Sequence, residues 1–313
     1  MMPGFTAGES ASMDGDELCT ARPSVGFIGL GNIGSPMARR LAPWPGGLVV
    51  HDVFPAAMEK FTSRGAIGAA SGAEVASQCA VICVMVQNET QVREVLEGPD
   101  GILATALPGT VVAVHSTISA EAAVSLAELA AGAQVELVDA PVSGGAMGAH
   151  DGTMAIMVGG SDAAVARCTR VFEHLATMVQ HMGPIGAGTR TKIARNLITF
   201  ASFAVVGEAQ RLAEAAGLDL GKLGDVVRHS DKITGGPGSI MIRPDAGEMD
   251  VEDGLRSIFN HTATLGGKDL ELAIRMGEDL DVDVPMALIA AQALPAALGL
   301  EQYEQATLPS SGR

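Results

Sequence analysis

Two residues with reactive side chains, Lys192 and Asn196, lie four positions apart where a long apolar segment begins. Residues four apart occupy one face of a helix, so both side chains are predicted to point the same way. Gly186 and Gly188 precede them and are typical of a turn that opens a helix. A lysine at the start of such an apolar helix needs either a partner or a chemical role.

The helix that carries this pair is predicted over residues 189–216, which gives about 42 Å at about 1.5 Å per residue. Its first two thirds are apolar on nearly every side, which indicates burial on more than one face. A helix of this length can cross a domain boundary, and 313 residues are enough for two domains. We therefore expect a first domain at 23–184 and a second at 185–313, joined by the long helix.

The charge and the N-terminal sequence restrict the possible partners. A net charge of −16 disfavours nucleic acid and anionic membranes, because both bind basic surfaces. No uninterrupted apolar run reaches the length of a membrane span. Residues 1–22 lack the basic start and apolar core of a signal peptide. We expect them to form a disordered N-terminal tail on a cytoplasmic protein.

The cysteines are irregularly spaced, and two of them fall in or beside an apolar segment that is typical of a strand. They are Cys19, Cys79, Cys83 and Cys168. This arrangement favours buried structural thiols over disulfides or metal ligands. We therefore predict no metal site.

A glycine-rich turn follows the first apolar segment, and a helical pattern follows the turn. The order strand, GxGxxG, helix is the context in which this motif indicates a dinucleotide site. Phosphates bind there at a helix N-terminus, where free N–H groups and the helix dipole favour anions. The predicted cofactor-binding residues of the turn are Gly29, Leu30, Gly31, Asn32, Ile33 and Gly34.

An acid, Asp52, ends the second apolar strand 18 residues after the last glycine of the motif. A carboxylate there can accept hydrogen bonds from both ribose hydroxyls and would repel a 2′-phosphate. No arginine follows it, since the next residues are Val53, Phe54 and Pro55. The sequence therefore favours NAD over NADP.

Strand patterns then alternate with helical patterns up to residue 183, which predicts a parallel sheet wrapped by helices, a Rossmann domain. Ligands bind such sheets beyond the carboxyl ends of the strands. Val86, Gln87, Ser116 and Thr117 are predicted to lie at those ends. The remainder of the chain after the long helix is helical throughout, so the predicted fold class is an α/β Rossmann domain with a second, all-α domain.

A loop rich in glycine follows the strand that ends near Asp139. Ser143, Gly144 and Gly145 offer a hydroxyl and exposed backbone N–H groups, which together can bind a carboxylate. An ordinary glycine-rich connection is the alternative interpretation.

Four motifs in order make the chain resemble the β-hydroxyacid dehydrogenases, which include 3-hydroxyisobutyrate dehydrogenase. They are GFIGLGNIGSPMA, DAPVSGGAMGAHDGTMAIMVGG, GAGTRTKIARN and GGKDLELA, and the resemblance covers about residues 24–300. It implies a Rossmann domain and a helical domain that share a long helix. It also implies a homodimer or homotetramer that oxidises a small hydroxy acid.

The resemblance implies a role for each residue that matches a motif. Lys192 corresponds to the catalytic lysine, Asn196 to a substrate contact and Ser143 with its two glycines to the carboxylate loop. Val86, Gln87, Thr117 and Lys268 correspond to cofactor contacts, although the family often has Leu-Pro where this chain has Val86-Gln87.

Two departures concern histidines. His115 stands where the family often has an acid, and His261, beside Asn260, stands where it often has an aromatic residue near the substrate. We therefore predict a polar pocket and a hydroxylated substrate, such as a sugar acid or a glycerate-like acid. The alternative is that both histidines are surface or structural residues, which leaves a 3-hydroxyisobutyrate-like acid as the substrate. Two alternatives remain at this point: an imine reductase-like enzyme, although those generally lack the lysine and prefer NADPH, and a non-catalytic dinucleotide-binding relative.

Overall fold

The computed structural model describes residues 24–243, 245 and 247–301. The predicted tail at 1–22, with Cys19, lies outside the described residues. The chain divides into two compact units between Arg195 and Asn196, within the long helix. The other three cysteines, Cys79, Cys83 and Cys168, are buried thiols, as predicted.

Nine strands in the described part of the first unit form one sheet. They are β1 Ser24–Ile28, β2 Leu48–His51, β3 Ile67–Gly68, β4 Cys79–Val84, β5 Val111–Val114, β6 Glu136–Asp139, β7 Val142–Ser143, β8 Met154–Gly159 and β9 Ala176–Gly183. The helices that accompany them are α1 Gly34–Arg40, α2 Pro55–Thr62, α3 Gly72–Gln78, α4 Glu89–Glu97, α5 Ala120–Gly132, α6 Gly145–Asp151 and α7 Asp162–Leu175.

The strand order is β3-β2-β1-β4-β5-β6-β8-β7, with β9 paired to β8. Its first six strands follow the order of the classical dinucleotide-binding sheet, which confirms the predicted Rossmann fold. The sheet departs from a parallel arrangement at one place, because β8 runs antiparallel to β6 and β7. Only a two-residue strand and a seven-residue helix connect β6 to β8, and this short connection turns the chain back.

The central strands form because their side chains are buried on both faces of the sheet. Every residue of β4 and β5 is buried, and apolar clusters cover the two faces separately. Aliphatic side chains dominate both clusters. Near-continuous apolar strands of this kind are typical of parallel sheets with helices on both sides.

The long helix, α8, runs from Ala187 to Ala215, so it begins two residues before and ends one residue before the predicted span. The remaining helices of the second unit are α9 Leu220–Thr234, α10 Arg256–Leu280 and α11 Pro285–Ala297. No strand is present in the described part of this unit, as predicted. Among the described residues, no helix has the length and hydropathy that crossing a membrane requires.

The expected burial of the apolar side chains of α8 is not found in a single copy of the chain. The apolar residues of this helix were predicted to be buried on more than one side, yet Leu197 is 69% exposed, Phe200 61% and Phe203 63%. An apolar pattern indicates that side chains avoid water, but it does not identify the surface that covers them. In the described part of the second unit, Met249, Phe259 and Leu298 form a small buried apolar cluster.

Candidate active site

The predicted site residues of the first unit follow strands that end together. Ile28 pairs with His51 and Val84, and Val114 pairs with Val84 and Asp139. The last residues of β2, β1, β4, β5 and β6 are therefore aligned, and the segments after them leave the sheet at one edge. This is the edge at which ligands bind in open α/β sheets.

The glycine-rich turn between β1 and α1 has the geometry that the motif predicts. Gly29 has φ +93°, and a Cβ atom there would collide with the carbonyl oxygen of Met85. A Cβ atom on Gly34 would collide with the carbonyl of Gly29, so the first and third glycines allow strand and helix to pack closely. A Cβ atom on Gly31, in contrast, would meet nothing within 4 Å. The turn therefore presents open backbone at the position where a pyrophosphate would approach.

Asp52 lies beside this turn. One of its carboxylate oxygens accepts a hydrogen bond from the N–H of Leu30 at 2.7 Å, and the other accepts from the N–H of Phe54 at 2.9 Å. The acid is thus fixed next to the motif, as required of a residue that contacts the adenosine ribose. It is partly exposed, so further acceptor capacity faces outward.

Val86 and the Ser116–Thr117 pair are joined at the same edge. The Ser116 hydroxyl accepts a hydrogen bond from the Val86 N–H at 2.9 Å and lies 2.8 Å from the Val86 carbonyl oxygen, to which it donates. Ser116 is buried by this exchange, while Thr117 and Gln87 are exposed. The structure therefore makes Ser116 a structural bridge and leaves Thr117 and Gln87 available for a ligand.

The predicted carboxylate loop is shorter than expected. Ser143 belongs to β7, and α6 begins at Gly145, so only Gly144 separates the strand from the helix. Ser143 is partly exposed, and both glycines are exposed. A hydroxyl and backbone N–H groups are available there, within a more ordered segment than a free loop.

Asp139 is a fully buried acid whose role the sequence did not indicate. Its two oxygens accept hydrogen bonds from the N–H groups of Gly186 at 2.7 Å and Thr189 at 2.6 Å, which are free donors at the start of α8. A Cβ atom on Gly188 would collide with the Asp139 carbonyl, so the helix starts directly against the end of β6. Gly186 lies 47 residues after Asp139 and Thr189 lies 50 residues after it, so no local sequence pattern connects the acid with its donors.

Lys192 lies in the first turns of α8 and is only 9% exposed. Its Nζ donates a hydrogen bond to the carbonyl oxygen of Val142 at 2.6 Å, next to Ser143. Burial and, to a smaller extent, the positive charge of Arg195 lower the pKa of Lys192 from its usual range. The structure thus brings the predicted catalytic lysine to the predicted carboxylate-binding segment.

The remaining predicted residues belong to the helical unit. Asn196 is half-buried and follows Lys192 by one helical turn on α8. His261 and Lys268 are exposed on α10, seven residues apart and therefore on one helical face. Lys268 lies 3.2 Å from the carboxylate of Asp269. Their predicted roles in substrate and cofactor binding stay predictions.

The first unit's residues fit a dinucleotide. The open backbone at Gly31, the fixed carboxylate of Asp52 and the exposed Thr117 all belong to one edge of a sheet with Rossmann strand order. Gly29 to Gly34, Asp52 and the segments after β4 and β5 would hold it. Fold and site together define an NAD(P)-dependent dehydrogenase.

Comparisons with known proteins narrow this class. Residues 24–183 match the family described as the NAD binding domain of 6-phosphogluconate dehydrogenase. Residues 186–307 match the family described as NAD-binding of NADP-dependent 3-hydroxyisobutyrate dehydrogenase. The chain therefore belongs to the β-hydroxyacid dehydrogenase family, whose enzymes act on CH–OH groups.

Individual relatives support this membership. An uncharacterized oxidoreductase of Mycobacterium tuberculosis H37Rv is 50% identical over 278 residues, which cover 89% of this chain and 94% of the relative. The 3-hydroxyisobutyrate dehydrogenase of Pseudomonas aeruginosa is 33% identical over 270 residues, covering 85% and 89%. The crystal structure of an oxidoreductase from Mycobacterium avium 104 has a TM-score of 0.84 at 47% identity, covering 88% of this chain and 98% of that one.

Proposed function

We propose that this protein transfers a hydride between NAD and a small 3-hydroxy acid, with a semialdehyde or keto acid as the oxidised product. The observation that carries the proposal is Lys192, an almost buried amine that contacts the carbonyl next to Ser143. A buried lysine with a lowered pKa is a candidate acid–base group.

Lys192 is the proposed general base. As the hydride leaves the substrate carbon, the hydroxyl proton must pass to a neutral amine, so the oxidised product gains a C=O bond and the lysine becomes an ammonium. An ordinary lysine, with a pKa near 10.4, would rarely be neutral at physiological pH. The lowered pKa of Lys192 increases the fraction that can accept the proton. In the reverse direction the ammonium returns the proton to the carbonyl oxygen.

Ser143, Gly144 and Gly145 are proposed to bind the substrate carboxylate. Their exposed hydroxyl and N–H groups suit a carboxylate, and they follow the Val142 carbonyl that Lys192 contacts. A carboxylate fixed there would determine which carbon lies near the lysine. Orientation of this kind supplies a large part of the rate of many enzymes.

NAD is the proposed cofactor in preference to NADP. NAD supplies the hydride acceptor when it is bound, and the chain's own contribution is to bind and orient it. The carboxylate of Asp52, fixed by Leu30 and Phe54, favours ribose hydroxyls over a 2′-phosphate. Val86, Gln87, Thr117 and Lys268 are the other proposed cofactor contacts.

Asn196 and His261 are the proposed substrate contacts of the helical unit. The polar pair Asn260–His261 supports a hydroxylated substrate, such as a glycerate-like acid, over a methyl-branched one. His261 is exposed on α10, and the residues on either side of it, Asn260 and Thr262, are polar and exposed as well.

A cytoplasmic homodimer or homotetramer is the proposed form of the protein. Support for association comes from the apolar side chains that α8, α9 and α10 leave exposed, since large exposed apolar surfaces mark interaction sites. The acidic net charge supports neither nucleic acid nor membrane as a partner.

A substrate panel tests the proposal. The purified protein is assayed by NADH absorbance with 3-hydroxyisobutyrate, 3-hydroxypropionate, glycerate and L-serine, each with NAD and with NADP, and in reverse with a cyclic imine and NADPH. We expect oxidation of at least one polar hydroxy acid, with a higher kcat/KM for NAD. A preference for 3-hydroxyisobutyrate would contradict the hydroxylated substrate, imine reduction alone would favour the rival enzyme class, and binding of NADH without any turnover would favour a non-catalytic relative.

A further inference from the structure

His115 is a buried polar residue that the proposed mechanism does not use. It directly follows β5, is 1% exposed, and its backbone N–H donates to the Val84 carbonyl at 2.8 Å. Its ring packs edge-on against Phe172, with 5.5 Å between the ring centroids. A buried imidazole in an otherwise apolar layer requires a hydrogen bond to offset its desolvation.

The imidazole continues the hydrogen bonding of the sheet beyond its last residues. The ladder between β5 and β6 ends with the N–H of Ala140 donating to the Val114 carbonyl at 2.8 Å. The carbonyl of Ala140 then lies 2.7 Å from Nδ1 of His115. A carbonyl only accepts, so Nδ1 carries the proton in this contact. Nε2 has no partner among the described residues.

The segment after Ala140 is held from a second side by the catalytic candidate. Lys192 donates to the carbonyl of Val142, two residues beyond Ala140, and Ser143 follows immediately. The short turn formed by Ala140, Pro141 and Val142 therefore receives a side-chain donor at each end, in addition to the Met157 N–H on the Pro141 carbonyl at 3.1 Å and the pairing of β7 with β8. A shift of this turn would displace both the Ser143 hydroxyl and the carbonyl that orients the lysine.

We propose that His115 is a positioning residue for substrate binding: through the Ala140 carbonyl it fixes the turn that presents Ser143 and its glycines to a carboxylate. This inference rests on the proposed function, in which that segment binds the acid. The cost of burying a charge keeps the ring neutral, and the contact with the Ala140 carbonyl then selects the tautomer that carries its proton on Nδ1.

Two substitutions separate the hydrogen bond from the packing. His115→Phe keeps an aromatic ring against Phe172 but removes the donor. His115→Asn removes the ring but retains an amide N–H group at nearly the position of Nδ1. If the donor is what matters, the asparagine variant recovers most of what the phenylalanine variant loses.

Hydrogen exchange followed by mass spectrometry tests the positioning without any turnover. In the cofactor-free protein, we expect His115→Phe to raise exchange in peptides covering residues 140–148, while peptides from β1 and β4 keep wild-type protection. His115→Asn should restore protection in 140–148. Unchanged exchange in His115→Phe, or an equal rise over the whole sheet, would overturn the proposal.

Kinetics test the link to the carboxylate. For whichever acid of the panel the wild type oxidises fastest, we expect His115→Phe to raise KM by about tenfold, a change of about 1.4 kcal/mol. The methyl ester of the same acid lacks the carboxylate. For the ester and for NAD, the KM of His115→Phe should therefore stay within about twofold of the wild-type KM, well below the tenfold that corresponds to about 1.4 kcal/mol. Equal losses with acid and ester would show a merely structural role and would overturn the proposal. If the wild type oxidises none of the acids, the proposed function fails, and the exchange experiment still decides whether His115 positions the turn.

Discussion

Lys192 combines two properties that rarely occur together on a lysine, namely near-complete burial and a neutral hydrogen-bond acceptor. A carbonyl offers the ammonium only partial compensation for lost hydration, whereas a carboxylate would hold it charged. Within unit 1, Arg195 adds a like charge rather than a counter-charge. This environment is suited to an amine that must alternate between two protonation states.

Replacing Lys192 should therefore remove turnover without removing cofactor binding. Lys192→Ala lacks any base, and Lys192→Arg keeps a cation that does not deprotonate in proteins. We expect both variants to lose about 10²- to 10⁴-fold in kcat, the usual contribution of a general base. Fluorescence titration should give a wild-type dissociation constant for NADH. The control is Lys222→Ala on the exposed part of α9, and wild-type turnover in Lys192→Arg would refute the assignment.

His115 gives a second prediction at this scale, about stability in acid. Burial lowers its pKa from 6.5 to about 4, so between these values the unfolded chain binds a proton that the folded chain does not. Stability from this residue is therefore complete above pH 6.5 and is lost as the pH falls toward 4, by about 3 kcal/mol in total. Among the described residues, the ring contacts the Ala140 carbonyl and the Phe172 ring, and neither of these groups carries a charge.

Urea unfolding at several pH values measures this loss. Between pH 6.5 and 4 the free energy of unfolding of the wild type should fall more steeply than that of His115→Asn, by up to about 1.4 kcal/mol per pH unit. The variant has no titrating group at this position, so the difference between the two proteins removes the contribution of all other titrating groups. Parallel curves for the two proteins would contradict the prediction.

The residues that the sequence predicted best are those with local signatures. Gly29, Gly34 and Lys192 belong to motifs whose spacing alone specifies a turn or a helical face, and the structure has them in the expected elements. Asp139 and His115 act on partners at least 25 residues away. Only the fold brings those partners together, so spacing carries no signal for them.

Elements show the same division. Strands β1, β4 and β5 are buried on both faces, and their apolar runs predicted them. The short helices α2, α3 and α6 were not predicted, because seven or eight residues give too few repeats for a helical period to be recognised. Helix α1 is equally short, but the GxGxxG turn before it indicated a helix. In α6 the glycines also favoured a loop, although the structure uses them to turn from β7 into the helix.

Helix α8 depends on Asp139 for its start, which gives a prediction for this element. Asp139→Asn leaves one acceptor oxygen for two buried N–H donors, those of Gly186 and Thr189. The amide NH₂ group of the asparagine then faces the donor that has lost its acceptor. A buried donor without a partner costs about 1–3 kcal/mol, and we expect a loss of that size in urea unfolding. The matched control is Asp219→Asn at the N-terminus of α9, where an exposed side chain accepts a single bond from the Lys222 N–H.

Asparagine and aspartate cap helices about equally well in that exposed position. The control should therefore change stability by less than about 0.5 kcal/mol. Equal effects of the two substitutions would mean that the second oxygen of Asp139 contributes nothing. Because Lys192 follows this start by less than two turns, Asp139→Asn should also lower kcat more than Asp219→Asn does.

At the scale of the whole molecule, the two units differ in how they bury apolar side chains. The first unit encloses its sheet between two large apolar clusters. The second has few buried apolar residues among those described and exposes large ones on every helix from α8 to α11. Examples from these four helices are Phe203 at 63%, Ile233 at 73%, Leu272 at 54% and Ile289 at 54% exposure.

This imbalance is the physical reason to expect association of the helical unit with a second copy. A single exposed leucine is ordinary on a protein surface, but large apolar side chains exposed on four successive helices indicate an interaction surface. The resemblance to the family predicted a dimer or tetramer, and the sequence predicted burial for α8 that one chain does not supply. Both expectations are met if another copy covers these helices.

A charge placed on this face should therefore dissociate the assembly. Phe203→Glu puts a carboxylate where Phe200 and Phe203 pack edge-on, 5.9 Å apart, and burying it in an apolar interface without a partner is costly. We expect the wild type to be a dimer or tetramer by sedimentation velocity. The variant should dissociate at protein concentrations at least about tenfold higher than those at which the wild type dissociates, which corresponds to a loss of about 1.4 kcal/mol in the free energy of association. Met178→Glu, an equally exposed apolar site on strand β9 of the first unit, should retain the wild-type mass. A wild-type monomer at every concentration would refute the interface, and an unchanged mass for Phe203→Glu would move it to another face of the helical unit.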